Sequence, residues 1–244
     1  NAMVQRVRQS SDGIHVIVGD EEILGDALLM SVGRTPNVAG LELDKAGVAY
    51  TPKGIQVNNR LRTTQRRIHA AGDCAGGYQF THYAGWQGFM AVRNAFMPKF
   101  ATAKAVLDHV PWATFTDPEV AHAGLTEAQA RERFGDSTRV SHWPMGSVDR
   151  AIAEDDTSGF IKLVQKPNGA VLGATIVSGR AGEMIQEWNL AIDQGLKVRH
   201  LAESIHAYPT YSMGTMQVAA KLSVDQALSG TTGRIMKGLA RLAR

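Results

Sequence analysis

The segment TTQRRIHAAGD (residues 63–73) combines a short strand of small residues with a Gly-Asp pair, and a helix is predicted to begin at Thr81-His82. Glycine and alanine leave room for a ligand at the end of such a strand, and Asp73 stands at its carboxyl end. In an open α/β sheet, ligands bind at this end of the strands. The carboxylate can accept hydrogen bonds from sugar or polyol hydroxyls, and the helix N-terminus favours an anionic ring or phosphate. The alternative is an ordinary strand–turn–helix connection in which Asp73 is only a turn residue.

On both sides of this segment, apolar runs and turn residues predict further elements. The N-terminal part is predicted to contain short strands at 14–18, 27–32, 55–57 and 68–71. A helix over 82–97 follows, with Phe89, Val92 and Phe96 among its apolar residues. From Pro111 onward the pattern changes to an α+β unit. Its predicted strands are 112–115, 119–124, 139–143, 160–165 and 171–177, and its predicted helices follow Thr126 and span 183–194, 199–205 and 212–228.

Composition excludes several classes of protein. Among 244 residues, 44% are hydrophobic and 20% are charged, which is typical of a globular protein. A net charge of +3 gives no general argument for nucleic-acid binding, so no nucleic-acid partner is expected. The single cysteine, Cys74, excludes an internal disulfide framework and a cysteine-rich zinc site, and no metal site is predicted. Without a secretory signal in the sequence, we expect a cytoplasmic protein.

The motifs resemble those of one family when they are read in order. Thr63 with IHAAGD (68–73) resembles the second FAD fingerprint of flavoproteins that bind two dinucleotides. ALLMSVGRTPN (27–37) is similar to the segment that leads from the NAD(P) domain back into the FAD domain. PWATFTDPEVA (111–121) and GATIVSGRAGE (173–183) resemble the C-terminal dimerisation domain. Together they resemble the pyridine nucleotide-disulfide oxidoreductases, which include dihydrolipoamide dehydrogenase, glutathione reductase and mercuric reductase.

This resemblance implies a fold and a cofactor site. The fold is an α+β C-terminal dimerisation domain, an antiparallel sheet with packed helices, preceded by an incomplete α/β FAD-binding segment. By resemblance, Gly72 and Asp73 belong to the FAD site, where Asp73 binds the ribityl hydroxyls. The backbone amides of Thr81 and His82 face the flavin pyrimidine edge, although the His82 side chain has the alternative role of capping the helix. The resemblance also implies NAD(P)H as co-substrate and a homodimer, for which the apolar residues at 184–191 are the candidate face.

The predicted domain limits follow from the same comparison. Residues 3–37 are expected to be the tail of an NAD(P)-binding domain, and 38–108 the C-terminal part of an FAD-binding domain. Residues 109–228 are expected to form the dimerisation domain, followed by a basic tail at 229–244. The tail alternates apolar with basic residues, which is typical of either a solvated end or a helix that touches a membrane surface.

Three features of the family are missing from the sequence. It has no Gly-x-Gly-x-x-Gly turn for the FAD pyrophosphate, no Cys-x4-Cys redox pair and no second glycine fingerprint for NAD(P). We therefore expect the chain to be part of a longer oxidoreductase, to bind FAD weakly or not at all, and to be inactive by itself. The oxidoreductase would pass hydride from nicotinamide through flavin to a disulfide, a metal ion or another acceptor. The alternative is a non-catalytic dimerisation module.

The C-terminal motif also differs from that of the family. Disulfide reductases carry His-x-His-Pro-Thr followed by a glutamate, whereas this chain has HAYPTYSM at residues 206–213. Tyr208 therefore takes the place of the catalytic base and Met213 the place of the glutamate. A phenol with a pKa of about 10 is a poor base at neutral pH, and mercuric reductases place a tyrosine near this site. Tyr208 and His206 are the candidate catalytic residues, and His206 has a structural role as its alternative.

Overall fold

The computed structural model describes residues 2–229 and Gly233. We call residues 2–108 the N-terminal segment and residues 109–229 the C-terminal domain. The C-terminal domain is built on a five-stranded antiparallel sheet in the order β6-β7-β10-β9-β8. Its strands are β6 (Trp112–Thr114), β7 (Glu119–Gly124), β8 (Arg139–Pro144), β9 (Phe160–Gln165) and β10 (Val171–Ser178). The predicted antiparallel sheet is therefore confirmed.

Five helices belong to the C-terminal domain, and α4 packs against β6, β7 and β10. They are α2 (Glu127–Phe134), α3 (Asp149–Ala153), α4 (Ala181–Asp193), α5 (Val198–Ala202) and α6 (Met213–Ser229). The sequence analysis did not predict α3. Local sequence signals explain why most of the other helices and strands of this domain were predicted. Thr126 and Gln129 form a capping box at the start of α2, and Gly169 has a φ of +84° in the turn between β9 and β10.

The sheet and α4 enclose the larger core of the protein. Its fully buried members include Ile161, Leu163 and Ile176 from the sheet and Trp188 from α4. Met184, Ile185 and Ala191 of α4 are also buried in this core, and only Leu190 of the predicted 184–191 face is largely exposed, at 56%. These residues hold the domain together, so the expectation of a homodimer rests on the family's dimerisation domain and not on this face.

The N-terminal segment opens with a three-stranded antiparallel meander. It consists of β1 (Val4–Ser10), β2 (Gly13–Val18) and β3 (Glu21–Gly25). The strand predicted at 14–18 is confirmed, but the one predicted at 27–32 is wrong, because these residues form no strand. Leu29, Met30 and Val32 are 75–92% exposed. An apolar run of this kind needs neighbouring strands on both sides, and the described residues provide none.

The rest of the N-terminal segment surrounds one long helix, α1 (Thr81–Phe96), which confirms the predicted helix to within one residue. The strand predicted at 55–57 is a two-residue strand, β5 (Gly54–Ile55), paired with β4 (Tyr50–Thr51). The strand predicted at 68–71 is reduced to one bridge between Arg62 and His69. Two small apolar clusters replace a continuous sheet core, and one of them includes Leu61 and Met90.

Helix α1 buries two polar side chains and exposes three large apolar ones. Its buried side chains include two amides, Gln87 and Asn94, which are hydrogen-bonded. By contrast, Phe89, Val92 and Phe96 are 60–85% exposed. These three apolar residues, which helped to predict the helix, therefore do not face the described core, whereas Ala91 does.

Candidate functional site

The predicted flavin-facing residues come together at the N-terminus of α1. Gly72 precedes a 3-10 turn at Asp73–Ala75, and α1 begins at Thr81. The N-cap residue is Phe80, whose side chain has no acceptor, and no side-chain cap bond is present. The first N–H groups of α1 therefore have no capping side chain and remain available to a ligand.

Gly72 is held against α1 by two contacts. Its N–H donates to Oε1 of Gln87 at 2.8 Å, and Gln87 is 3% exposed. A Cβ on Gly72 would lie 2.9 Å from the Cβ of Ala84, and φ is +78°. Only glycine therefore allows the strand end to lie this close to the helix. Gln87 was not predicted from the sequence, and the signal was a polar residue on the helix face that contains Tyr83 and Met90.

Asp73 is exposed, and no side-chain hydrogen bond or ion pair of its carboxylate is found within residues 2–229. A turn residue normally uses its carboxylate to bond nearby backbone N–H groups, so the free carboxylate favours the ligand-binding interpretation. The uncapped N-terminus of α1 and the Asp73 carboxylate fit the pyrimidine edge and the ribityl chain of FAD, which the resemblance assigns to them. Free N–H donors and a free carboxylate acceptor match carbonyl oxygens and hydroxyl groups, respectively.

The His82 side chain does not cap the helix. Its Nε2 lies 2.8 Å from the carbonyl oxygen of Pro111, and its ring stacks on Phe80 with the centroids 5.2 Å apart. The capping alternative is therefore wrong, and His82 instead joins α1 to the start of the C-terminal domain. A cleft of about 550 Å³ opens here, lined by His82 and Trp112 among others.

At the C-terminal motif, Tyr208 is 69% exposed and its hydroxyl bonds to Asp149 of α3. This hydrogen bond and the negative charge of Asp149 raise the pKa of Tyr208 above its ordinary value. A phenol that already has a high pKa thus becomes a still poorer base. The sequence analysis missed Asp149, which lies on the one helix that was not predicted.

His206 lies in a different environment from Tyr208. Its Nδ1 is 2.9 Å from the carbonyl oxygen of Ser204, and its Nε2 is 2.9 and 3.0 Å from the two carboxylate oxygens of Glu187 on α4. Both partners carry acceptor oxygens, so each ring nitrogen of His206 already lies within hydrogen-bond distance of an oxygen. The side chain is only 8% exposed. This geometry supports a structural role for His206, which ties the C-terminal motif to α4.

Comparison with known proteins supports the resemblance. The profile of the pyridine nucleotide-disulphide oxidoreductase dimerisation domain matches residues 110–218, and a second profile of pyridine nucleotide-disulphide oxidoreductases matches residues 1–88. The chain belongs to the pyridine nucleotide-disulphide oxidoreductase family. The first of these matches begins at residue 110, and the second ends at residue 88.

Two curated relatives illustrate the range of this oxidoreductase family. A dihydrolipoyl dehydrogenase of Bacillus subtilis is 35% identical over 227 residues, which are 90% of this chain and 47% of the relative. A mercuric reductase of Staphylococcus aureus is 37% identical over 227 residues, which are 91% of this chain and 41% of the relative. The chain therefore spans about half the length of the curated relatives it matches.

Solved structures of the family agree with the fold. LpdA of Mycobacterium tuberculosis superposes with a TM-score of 0.83 at 28% identity, covering 91% of this chain and 48% of that one. The HOCl-induced flavoprotein disulfide reductase RclA of Escherichia coli gives 0.81 at 30% identity, covering 90% and 51%. In the parts of the chain that the structure describes, no metal-binding group of His, Cys, Asp and Glu is found. No described helix is long and apolar enough to span a bilayer.

Proposed function

We propose that this chain supplies the flavin-facing end of α1 and the dimerisation domain of an FAD-dependent NAD(P)H oxidoreductase. The observation that carries the proposal is the uncapped N-terminus of α1, with the free carboxylate of Asp73 at the preceding turn. In this function Asp73 accepts hydrogen bonds from the ribityl hydroxyls. The N–H groups of Thr81 and His82 donate to the pyrimidine edge, where the helix dipole stabilises negative charge. FAD, when bound, supplies hydride acceptance from NAD(P)H and its onward transfer.

The C-terminal motif bears on the electron acceptor. Both nitrogens of His206 are occupied, the Tyr208 proton is bonded to Asp149, and Met213 cannot orient a base. No residue of this motif can therefore exchange a proton with a dithiol in the way that the family's histidine does. This favours an acceptor that needs no such proton transfer here, such as a metal ion or a quinone-like compound. The similarity to a mercuric reductase supports the first of these.

We further propose that the chain forms a homodimer in the cytoplasm, and that alone it binds FAD weakly or not at all and is inactive. The support is the dimerisation-domain match and the missing glycine fingerprints. The basic tail at 229–244, proposed to touch a membrane surface or remain solvated, lies outside the described residues except for Ser229 and Gly233. A non-catalytic dimerisation module is the second candidate, and the complete core of the C-terminal domain supports it.

A chimera tests the flavin role of Asp73. In this chimera, the part of the Bacillus subtilis dihydrolipoyl dehydrogenase that the chain does not match is fused upstream of the chain. We expect Asp73→Asn to weaken FAD binding by about tenfold to a hundredfold, because hydrogen bonds to a charged group are lost. Asp136→Asn, at an exposed residue of the C-terminal domain, is the control and should leave the dissociation constant unchanged. Equal FAD affinity of the two variants would contradict the assignment.

A further inference from the structure

A second cleft lies beside the buried face of α1 and has no role in the proposed function. Its volume is about 850 Å³, which is ordinary for a site that binds a small molecule. Its walls come from residues within 51–59, 75–78 and 106–107, and from two side chains of α1, Tyr83 and Gln87. None of these residues lines the cleft at His82 described above, so the two clefts are separate.

Tyr83 and Gln87 carry hydrogen-bond donors that have no acceptor within the described residues. The Tyr83 hydroxyl accepts from the Leu107 N–H at 3.1 Å, and Oε1 of Gln87 accepts from the Gly72 N–H at 2.8 Å. The phenolic hydrogen of Tyr83 and the amide hydrogens of Gln87 bond to nothing within residues 2–229. The two side chains belong to residues that are 4% and 3% exposed. Because most buried donors have an acceptor, these two indicate an acceptor that comes from outside the described residues.

Spacing and charge indicate which kind of acceptor fits. Tyr83 and Gln87 are four residues apart on α1, so they lie next to each other on one face of the helix. A carboxylate has two acceptor oxygens and no donor, which matches an O–H and an N–H₂ side by side. Lys53 is an exposed lining residue that has no ion pair within the described part of the chain. No Asp or Glu lines the cleft, so a negative charge meets attraction there and no repulsion.

The rest of the wall suits an apolar body. Ile55, Val57, Val106 and Leu107 line the cleft, and Tyr78 adds an aromatic ring that is 39% exposed. Apolar walls with a few placed polar groups are typical of sites for small organic molecules. An inorganic anion would satisfy the donors but would leave most of this volume unfilled.

We propose that this cleft binds a small organic acid. The carboxylate accepts hydrogen bonds from the Tyr83 hydroxyl and the Gln87 amide, Lys53 supplies a positive charge, and the apolar wall holds the body of the molecule. The site goes beyond the proposed function and does not depend on it. Gln87 serves both places, since its oxygen holds the Gly72 N–H and its nitrogen is left for the ligand.

Titration of the full chain with benzoate, followed in proton–nitrogen NMR spectra, tests the proposal. Benzamide has the same ring without the charge and is the matched probe. We expect benzoate to shift the side-chain NH₂ signals of Gln87 until they saturate, with a dissociation constant of about 1–10 mM. Benzamide should bind about tenfold more weakly, because hydrogen bonds to a charged acceptor are stronger. Equal affinities, no saturation, or shifts confined to other residues would overturn the proposal.

Two variants test the donors. Tyr83→Phe should weaken benzoate binding about tenfold, because a hydrogen bond to a charged group is lost. The control is Tyr50→Phe, the same change at a tyrosine that does not line the cleft, and it should leave the affinity unchanged. Gln87→Glu keeps an acceptor for the Gly72 N–H but repels a carboxylate, so benzoate binding should be lost. Either variant would overturn the proposal by binding benzoate as well as the unchanged chain does.

Lys53→Gln tests the charge without any risk to folding, because Lys53 is exposed. We expect this change to weaken benzoate binding about twofold to fivefold, as for an exposed ion pair, and to leave benzamide binding as it was. An equal effect on the two probes, or none on benzoate, would contradict the recognition of an acid at this cleft.

Discussion

Individual residues define the chemistry of this chain through their hydrogen-bond partners. Tyr208 and His206 are separated by one residue, yet one is exposed and bonded to Asp149, while the other is buried against Glu187. The sequence predicts that the usual base is absent, since it shows tyrosine at that position. It does not predict that both nitrogens of His206 have partners, because Glu187 lies 19 residues away on helix α4.

A further pair at the residue scale is Tyr211 and Asp156. The Tyr211 hydroxyl donates to Oδ2 of Asp156 at 2.9 Å, and burial together with this carboxylate raises the pKa of Tyr211 to about 12. The folded state therefore keeps a proton that the unfolded phenol loses near pH 10. Stability from this group is complete below pH 10 and is lost as the pH rises towards about 12.

Tyr211→Phe removes this hydrogen bond and its pH dependence. We expect a loss of about 1 kcal/mol of unfolding free energy at neutral pH, because one hydrogen bond to a carboxylate disappears. Asp156 keeps its bond from the Gly179 N–H at 3.1 Å, which limits the loss. Urea unfolding at pH 7 and across pH 10–12 measures both effects. If the unfolding free energy of the unchanged chain and of the Tyr211→Phe variant fell equally above pH 10, Tyr211 would not titrate as described.

At the scale of elements, local signals explain which predictions succeeded. The strands β7 and β9 match the prediction residue for residue. The capping box of α2 follows β7, and the turn at Gly169 follows β9. The predicted strand at 27–32 failed because its apolar run depends on neighbouring strands that the described residues do not contain. The residue range of helix α1 was predicted, but not which of its faces is buried. That depends on the side of the helix against which the rest of the N-terminal segment packs.

The contact between Gln87 and Gly72 joins α1 to the strand end that precedes it. We expect Gln87→Leu to lower the unfolding free energy of the N-terminal segment by about 1–3 kcal/mol, because the Gly72 N–H loses its buried acceptor. The C-terminal domain should unfold as before. Gln65→Leu, at an exposed residue of the same segment, is the matched control. Hydrogen exchange resolves the two regions, and equal exchange at Gly72 in both variants would contradict the role of Gln87.

At the scale of the whole molecule, the cores of the two parts differ in size. The C-terminal domain buries a continuous set of residues between its sheet and α4, whereas the N-terminal segment has two small clusters. Composition and motifs place this division near residues 100–110, and that position stays a prediction. The exposed surfaces of the N-terminal segment could not be predicted, because exposure depends on which neighbouring layers are present.

The difference in cores leads to a prediction about the C-terminal domain alone. A polypeptide of residues 109–229 should fold cooperatively and dimerise at micromolar concentration, since its core needs nothing from the N-terminal segment. Circular dichroism and light scattering measure the two properties. An unfolded polypeptide would show that the domain depends on α1, and a folded monomer would contradict the proposed homodimer.

We propose that this chain carries the flavin-facing part of an oxidoreductase without the part that holds the FAD pyrophosphate. The most direct measurement is the visible absorbance of bound FAD per chain, for the purified chain and the chimera prepared side by side. We expect close to no FAD on the chain alone and about one FAD per chimera. A stoichiometric FAD complex of the chain alone, or a folded chimera that holds no FAD, would contradict it.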